Sequence, residues 1–341
     1  MAGIIGYGVY IPKFRLKQED AAKAWGGWSA GEKAVCANDE DIITMAAEAS
    51  QNAITHAGVD PSEIGAIYIG TCSSPYIEQH VTPILAETLG LGPETSMMDF
   101  CGSLNAGGMA LQACLDAIAA KRIKCGIVIA SEKRATTTAS AGEAGFGCGA
   151  AAFVIGTKDT IVDIEGIYNY STLFLDRWRA VTDNFVSDHF DIIFDREYGY
   201  EKHIAAAAKG LMKNLGKKPD EFMQVVLQQP DARLPGIAAK AIGVKPDKMA
   251  LGTIVNTLGD LGSASVFVGL AGVLDKAKAG DKVLIVSYGS GSSSAVSLAV
   301  GSGTAKGKQG VENLEKYIKR KQYIDYVTYL KFTGTIKRAP Y

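Results

Sequence analysis

The sequence predicts an α/β fold in which two similar halves stack sheets and helices in layers. Short apolar runs rich in β-branched residues alternate with alanine-rich helical runs along the 341 residues. Residues 61–69, PSEIGAIYI, and residues 219–227, PDEFMQVVL, both place a proline and a glutamate ahead of an apolar strand. These two stretches lie almost half the chain apart, which indicates a duplication.

The individual elements follow from local patterns. A first strand is predicted in MAGIIGYGVYIPKFRLK, where the basic residues follow the apolar stretch, so no signal peptide is expected. The run from Asp39 to Gly58 has apolar residues at helical spacing, acidic residues at its start and a glycine at its end. Further buried strands are predicted at 65–70, 126–131, 150–156 and 282–289.

The predicted domains are an N-terminal half, 1–160, and a C-terminal half, 161–341. The bulky, aperiodic stretch 165–205 is predicted to be a loop that covers a site. The tail, 310–341, contains the amphipathic run LEKYIKRKQYIDYVTYLKF. This run predicts a solvated helix followed by an edge strand, with a docking surface for a small partner as the alternative.

Composition excludes several functional classes. The formal net charge is -1 and the chain has no long Lys/Arg block, so nucleic acid is not an expected partner. No apolar segment approaches the roughly 18 residues of a membrane span, and a cytoplasmic location is expected. The 6 cysteines form no CxxC pair, so no metal site is predicted. The 4 histidines are few for a residue type that usually supplies the general base.

Several segments, taken in order, carry a resemblance that spans nearly the whole chain. They are IIGYGVYIPKFRLK, NDEDIITMAAEAS, IGTCSSPY, LGLGPETSMMDF, VVLQQPDARLP, IVNTLGDLGSAS, VLIVSYGSGSSS and YVTYLKFTGTIKR. In these segments the chain resembles the short archaeal and bacterial 3-hydroxy-3-methylglutaryl-CoA synthases of the thiolase superfamily. The resemblance implies a thiolase-like duplicated, five-layered α/β/α/β/α fold. It also implies a coenzyme A thioester as ligand, reached through a pantetheine tunnel, with no covalently bound cofactor.

The chemistry that the resemblance implies needs three side chains. A cysteine at a helix N-terminus takes the acetyl group, because the helix dipole and backbone N–H groups favour its thiolate. A glutamate acts as acid and base when the carbon–carbon bond forms. A histidine near an asparagine polarises the carbonyl of the second acyl-CoA.

This chain departs from the family pattern at all three positions. The family's Ser-Glu-Ser-His-Pro-Tyr corresponds to TCSSPY here, which puts Cys72 at the glutamate position. The family's His-Gln-Pro-Asn corresponds to QQPD, which puts Gln228 at the histidine position. Counting five residues from Asp99, as in the family, puts Leu104 at the nucleophile position, and Asn256 corresponds to the asparagine.

The nearby Cys101, in DFCGSLNAGG, leaves a second interpretation open. An insertion after Cys101 would align it with the Cys-x-Ser-Gly of thiolases and bring its thiol to the helix; otherwise Cys101 is a buried thiol at a strand end. Leucine cannot carry an acyl group and glutamine cannot exchange a proton at neutral pH. The first hypothesis is therefore a non-catalytic or vestigial subunit, and the alternative is an active acyltransferase or carbon–carbon bond-forming synthase that uses Cys101.

A ketoacyl synthase III-like enzyme that acts on a carrier protein is a third class. It would need a Cys-His-Asn set, of which Asn256 alone fits. Cys72 remains a thiol that could act near the pocket, and His189 could reach the site from the covering loop.

Binding residues are expected around a glycine-rich turn. Gly289, Ser290 and Gly291 occupy the family's place for a backbone turn near the acyl carbonyl, and GSGSSS lacks the lysine of a phosphate-binding loop. Arg233 and His203 are further substrate-binding candidates, although His203 could instead pack beyond the covering loop. The resemblance implies a homodimer, or a heteromer with a thiolase-type subunit and a small OB-fold or zinc-ribbon protein.

Overall fold

The computed structural model describes residues 2–189, 191–302 and 311–336. The strands are β1 (Gly3–Tyr10), β2 (Phe14–Lys17), β3 (Glu32–Val35), β4 (Ala66–Gly70), β5 (Ser96–Phe100), β6 (Cys125–Lys133), β7 (Cys148–Gly156), β8 (Val162–Ser171), β9 (Arg177–Trp178), β10 (Ser187–Asp188), β11 (Gln224–Leu227), β12 (Lys282–Gly289), β13 (Ser292–Val300) and β14 (Gln322–Tyr323). The α-helices are α1 (Gln18–Ala24), α2 (Ile42–Ala57), α3 (Thr82–Thr88), α4 (Ala106–Ala119), α5 (Ala141–Gly145), α6 (Ile192–Phe194), α7 (Lys202–Leu215), α8 (Leu234–Ala241), α9 (Val255–Leu258), α10 (Ser265–Leu274), α11 (Leu314–Lys319) and α12 (Tyr326–Phe332). The predicted strands at 65–70, 126–131, 150–156 and 282–289 are confirmed as β4, β6, β7 and β12.

The large sheet repeats one topology. Its strand order is β11-β12-β13-β8-β1-β7-β6-β4-β5. In the first half β4 pairs with β6 in parallel, and β6–β7 and β7–β1 are antiparallel. In the second half β11 pairs with β12 in parallel, and β12–β13 and β13–β8 are antiparallel. The duplication inferred from the two proline–glutamate stretches is therefore visible in the sheet.

Helices form layers on both sides of the strands. α4 and α10 contact strands of both halves, and they touch each other where Gly107 lies against the Phe267 ring. α10 is buried on nearly every side, as expected for an apolar central helix. α2 covers β1 and β7, while α7 covers β8 and β13. This gives the five-layered arrangement that the resemblance implies.

The predicted helix over 39–58 is confirmed, with both of its end signals. The Asp41 side chain accepts hydrogen bonds from the backbone N–H groups of Ile43 and Thr44 at the start of α2. Gly58 ends the helix in the left-handed conformation at φ 65°.

The covering loop predicted at 165–205 is shorter than expected. β8 extends to Ser171 along β13, and α7 begins at Lys202 after a π-helical stretch, Asp195–Glu201. The bulky residues that hid the strand period are packed beneath a helix: Tyr168 lies against Gly210 of α7. The segment between β8 and α6 contains the short β9–β10 pairing.

The tail forms more structure than a helix and an edge strand. α11 is followed by β14, which pairs in parallel with β2, and then by α12. Tyr317 and Tyr329 are buried, so the apolar face of the tail packs on the chain itself. Position 310 and residues 337–341 of the predicted tail lie outside the described residues. Among the helices of the described residues, none is long and apolar enough to cross a membrane.

Candidate functional site

The predicted nucleophile position lies in a turn between β5 and α4. Leu104 precedes Asn105, which occupies the N-cap position of α4, the helix that begins at Ala106. A Cβ placed on Gly289 would collide with the backbone nitrogen of Leu104 and lie 2.8 Å from that of Asn105. The start of α4 and the end of β12 are therefore in direct backbone contact at Leu104.

Side chains from the second half hold this turn in place. Asn105 is 1% exposed, and its Nδ2 donates hydrogen bonds to Ser292 Oγ at 2.9 Å and Ser294 Oγ at 3.0 Å. Ser103 Oγ donates to the Gly289 carbonyl at 2.8 Å. The position of Leu104 is thus fixed by the strands β12 and β13.

The glycine-rich turn predicted at 289–291 is the hairpin between β12 and β13. Gly289 pairs with Ser292, and Ser290 and Gly291 both have positive φ, 35° and 79°. Such a two-residue loop matches the twist of the strands it joins. A Cβ on Gly291 would collide with the Thr172 carbonyl, so the hairpin tip packs closely on the segment after β8.

Cys101 lies at a strand end, but it is exposed and not buried as expected. β5 ends at Phe100, and Gly102, at φ 83°, turns the chain before α4 begins. Partial burial and the neighbouring Asp99 raise the pKa of the Cys101 thiol. This environment keeps the thiol protonated at neutral pH, unlike that of an activated nucleophile.

Cys72, at the predicted glutamate position, follows β4 and is half-buried. Burial and the nearby Glu132 raise the pKa of the Cys72 thiol. The Glu132 carboxylate is fully buried and accepts a hydrogen bond from the Cys72 backbone N–H at 3.1 Å. It also accepts from the Ser73 hydroxyl and, at 2.9 Å, from Ser263 Oγ. Glu132 therefore fixes the segment after β4 to the turn before α10.

A buried ion pair lies beside this carboxylate. Arg134 Nη1 is 3.0 Å from Asp260 Oδ2, and Arg177 Nη1 is 3.6 Å from the same oxygen. The Arg134 guanidinium also stacks on the Phe146 ring, 3.8 Å from its centroid. Asp260 Oδ1 accepts from the Gly262 N–H at 2.8 Å. Neither Glu132 nor Asp260 was expected from the sequence: a charged residue at the end of an apolar run is a local signal, but it does not show which distant partners the residue binds.

The structure does not bring Asn256 to the buried group formed by Glu132, Arg134 and Asp260. This corrects the expectation for that residue. Asn256 is exposed, and its carbonyl lies beside Gly31. α9 turns Val255 and Leu258 towards the core, which leaves Asn256 on the outer face. Asp260, four residues further along, is the one that joins the buried group.

Gln228, at the predicted histidine position, follows β11 and is 1% exposed. Its Nε2 donates to the Gly262 carbonyl at 2.7 Å. The Tyr200 hydroxyl donates to the backbone carbonyl of Gln228. Gln228 is therefore hydrogen-bonded directly to the turn whose residues also bind Glu132 and Asp260.

The histidine candidates have structural partners. His203 is fully buried, with Nδ1 2.5 Å from the Gly199 carbonyl and Nε2 2.8 Å from Thr172 Oγ1. A carbonyl only accepts, so Nδ1 carries the proton, and burial lowers the pKa of His203. The ring packs against Tyr170 and Phe174, which favours the packing interpretation.

The remaining candidates lie outside the buried group. His189 is exposed and bonds Asp195 at 3.0 Å. Arg233 is exposed at the start of α8.

Two surface cavities, of about 900 and 630 Å³, lie away from the candidate site. The larger is lined by residues such as Tyr10 and Arg320, and the smaller by residues such as Tyr68 and Arg122. Within the described residues there is no cluster of three or more His, Cys, Asp or Glu side chains suited to a metal ion.

Two features define a thiolase-like protein: the duplicated layers, and the contact between the turn before α4 and the hairpin glycine Gly289. Solved structures share this fold. MvaS in complex with 3-hydroxy-3-methylglutaryl coenzyme A superposes with a TM-score of 0.85 at 22% identity, covering 98% of this chain and 92% of that chain. The 3-oxoacyl-[acyl-carrier-protein] synthase III from Aquifex aeolicus VF5 has a TM-score of 0.78 at 22% identity, covering 88% and 100%. Residues 212–300 match the family 3-oxoacyl-[acyl-carrier-protein (ACP)] synthase III C terminal.

Sequence relatives identify the family within this class. The hydroxymethylglutaryl-CoA synthase of Methanocaldococcus jannaschii is 36% identical over 346 residues, covering 99% of this chain and 100% of the relative. That of Caldivirga maquilingensis is 36% identical over 344 residues, covering 98% of each. The chain belongs to the hydroxymethylglutaryl-CoA synthase family of acyltransferases, which confirms the resemblance.

Proposed function

We propose that this protein binds an acyl-CoA thioester without forming an acyl-enzyme, as a non-catalytic subunit of an acyl-CoA thiolase or acyltransferase complex. One observation carries the proposal: Leu104 occupies the turn where α4 meets Gly289. A leucine side chain has no atom that can take an acyl group. The two thiols nearby, Cys72 and Cys101, both have raised pKa values, which does not favour either as a replacement.

Thioester binding does not require the lost side chains. The backbone groups of Leu104 and Gly289 are present whatever side chain residue 104 carries, and backbone N–H groups at such a turn suit a carbonyl oxygen. Structural neighbours are described as complexes with CoA and with 3-hydroxy-3-methylglutaryl coenzyme A. By analogy we assign a CoA thioester to this chain, held without a covalent bond.

The test is incubation of the purified chain with acetyl-CoA labelled in the acetyl group, followed by denaturation and intact mass measurement. We expect no covalent label, together with reversible CoA binding in calorimetry. The Methanocaldococcus jannaschii relative, treated identically, is the positive control for labelling. Stoichiometric acylation mapped to Cys101 or Cys72 would contradict the proposal.

The alternative is an active acyltransferase or synthase that uses Cys101. The exposure of Cys101 favours it, because a substrate could reach the thiol directly. This alternative predicts that Cys101→Ala abolishes acyl transfer while the protein stays folded, whereas Cys72→Ala leaves transfer intact. Its rate should rise as the pH exceeds neutrality, because the raised pKa leaves little thiolate at pH 7.

We also propose that a partner covers the edge of the large sheet, either a second copy or a thiolase-type subunit, with a small OB-fold or zinc-ribbon protein completing the complex. β5 is the edge strand at one side of the large sheet, and Met98 on it and Met109 on α4 are each 41% exposed. Exposed apolar edge strands favour pairing with another chain. In light scattering after gel filtration, Met98→Lys should reduce the assembly size, whereas Ile192→Lys, at an exposed apolar residue off the sheet, should not.

A further inference from the structure

Arg15 is a buried cation with unpaired donors. The residue is fully buried, and its Nη1 donates to the carbonyls of Pro12 at 2.5 Å and Phe14 at 2.9 Å. Within the described residues, its Nε and Nη2 have no hydrogen-bond partner. The neighbouring Glu32 carboxylate is bound by Lys321 instead. Buried charges are normally paired, so these free donors need an explanation.

Two thiols lie on the same side of the strand as this guanidinium. In the antiparallel pairing of β2 with β3, Arg15 is opposite Ala34, and Cys36 follows two residues later on the same face. Cys36 is hydrogen-bonded to the Cys148 thiol at the start of β7, and its Sγ is 3.8 Å from Met45 Sδ. Both cysteines are buried. Burial lowers the pKa of Arg15, and of its titratable neighbours Cys148 opposes this most.

The hydrogen bond between the thiols determines which one keeps its proton. The bond to Cys148, together with burial, raises the pKa of Cys36 well above its ordinary value. Cys36 therefore stays protonated and donates to Cys148 Sγ, so a proton lost from the pair leaves from Cys148. The resulting thiolate would have a donor in Cys36 and a positive charge nearby in Arg15.

A second buried pair of thiols lacks this environment. Burial raises the pKa of Cys114 to about 12 and that of Cys125 to about 11. The charges that act on them within the described residues are negative, Cys125 on Cys114 and Glu63 on Cys125, and both raise the pKa further. Thiols in such surroundings are inert, so this pair is a matched control.

We propose that Cys36 and Cys148 form a site of reversible oxidation, at which a hydroperoxide converts the two thiols to a disulfide. With hydrogen peroxide, the Cys148 thiolate attacks the O–O bond and becomes a sulfenic acid, and the hydroxide released takes up a proton to give water. The Cys36 sulfur then attacks the sulfenic sulfur, and the displaced oxygen leaves as a second water with the Cys36 proton. Two thiols and one hydrogen peroxide thus give one disulfide and two waters. The reaction is independent of the thioester binding proposed above.

The test treats the purified full chain with hydrogen peroxide and then alkylates the remaining thiols under denaturing conditions. Digestion without reductant and peptide mass spectrometry should show a Cys36–Cys148 linked peptide, two hydrogen atoms lighter than the separate peptides together, that disappears on reduction. Cys114 and Cys125 should be recovered as alkylated thiols. Cys36→Ala should leave a sulfenic acid on Cys148 that dimedone traps, whereas Cys148→Ala should leave Cys36 unlabelled.

The role of Arg15 is measured by the rate at which the linked peptide forms. Arg15→Met should slow the reaction about tenfold, because loss of the positive charge lowers the thiolate fraction. Arg15→Lys keeps the charge and should retain most of the rate, which separates the effect of charge from that of packing. If Arg15→Met does not fold, dimedone labelling of the two cysteine variants still tests the pair.

Three results would overturn parts of this proposal. Absence of the linked peptide, or disulfides confined to Cys72 and Cys101, would overturn the site. Dimedone labelling of Cys36 in the Cys148→Ala variant would overturn the assignment of Cys148 as the attacking thiolate. An unchanged rate in folded Arg15→Met would overturn the role of Arg15.

Discussion

Leu104 and Gly289 are in backbone contact across the two halves of the molecule. A Cβ on Gly289 would collide with the Leu104 nitrogen, and the Ser103 hydroxyl bonds the Gly289 carbonyl. The turn before α4 and the end of β12 therefore hold each other in place through backbone atoms. This contact would preserve the shape of the proposed thioester site around a residue that cannot act as nucleophile.

A methyl group at residue 289 should separate these two elements. Gly289→Ala should lower the free energy of unfolding by about 2 kcal/mol, because the obstacles are backbone atoms that cannot rotate away. Urea denaturation measures the change. Gly236→Ala is the control: it lies in α8 with open space around its Cβ, and an alanine there should be neutral or slightly stabilising. Equal stability of the two variants would show that the contact is easily relaxed.

A thiol placed at residue 104 should gain the reactivity that Cys101 lacks. Leu104→Cys sits just before α4, where the helix N-terminus favours a thiolate. We expect this variant to take up an acetyl group from acetyl-CoA, detected by intact mass. Met109→Cys, one turn into α4 and more exposed than residue 104, is the control and should not be acylated. Equal acylation at both residues would mean that solution reactivity, and not the site, drives the reaction.

Local patterns were sufficient for the elements that local forces determine. The strands β4, β6, β7 and β12 follow from β-branched runs, and α2 from its capping aspartate and terminal glycine. Counting from Asp99 put Leu104 at the family's nucleophile position, and that assignment stays a prediction; the structure adds that Leu104 lies in the turn beside Gly289. The duplication was visible in short proline–glutamate stretches that precede equivalent strands.

The buried charges could not be predicted in this way, because their positions depend on contacts distant in sequence. Glu132 binds Cys72 and Ser263, and Asp260 binds Arg134, each across a large part of the chain. Asn256 was misplaced because a four-residue helix, α9, turns it outward. The loop predicted at 165–205 is too long because it includes part of β8. The bulky side chains of β8 obscure the alternation of apolar and polar residues that marks a strand.

Lys33 should give the protein a distinctive pH dependence. The residue is 1% exposed, donates to the Glu143 carbonyl and lies 4.1 Å from the centroid of the Tyr329 ring. Burial lowers the pKa of Lys33 from 10.5 to about 7. Between these values the unfolded chain binds a proton that the folded chain does not, so this residue makes stability rise with pH.

The comparison with Lys33→Met isolates this effect from the other titrating groups. We compare the free energy of unfolding of Lys33→Met with that of the unaltered protein. The value for the variant minus the value for the unaltered protein should be about 2 kcal/mol larger at pH 7 than at pH 9. Denaturant titrations at the two pH values measure it. A constant difference would mean that the lysine remains charged inside the fold throughout this range.

The ion pair between Arg134 and Asp260 should be essential to the folded state. Its side chains are 4% and 1% exposed, so removing one charge leaves the other buried without compensation. Asp260→Asn should lower the free energy of unfolding by about 3 kcal/mol, since both Arg134 and Arg177 lose their shared carboxylate. The control is Glu315→Gln, which breaks exposed pairs with both Lys276 and Lys319. The Lys276 and Glu315 side chains are 50% and 44% exposed. That change should cost far less than Asp260→Asn, because solvent screens the exposed pair. Similar losses for the two variants would indicate that water reaches Asp260 and that the site is more open than its buried charges imply.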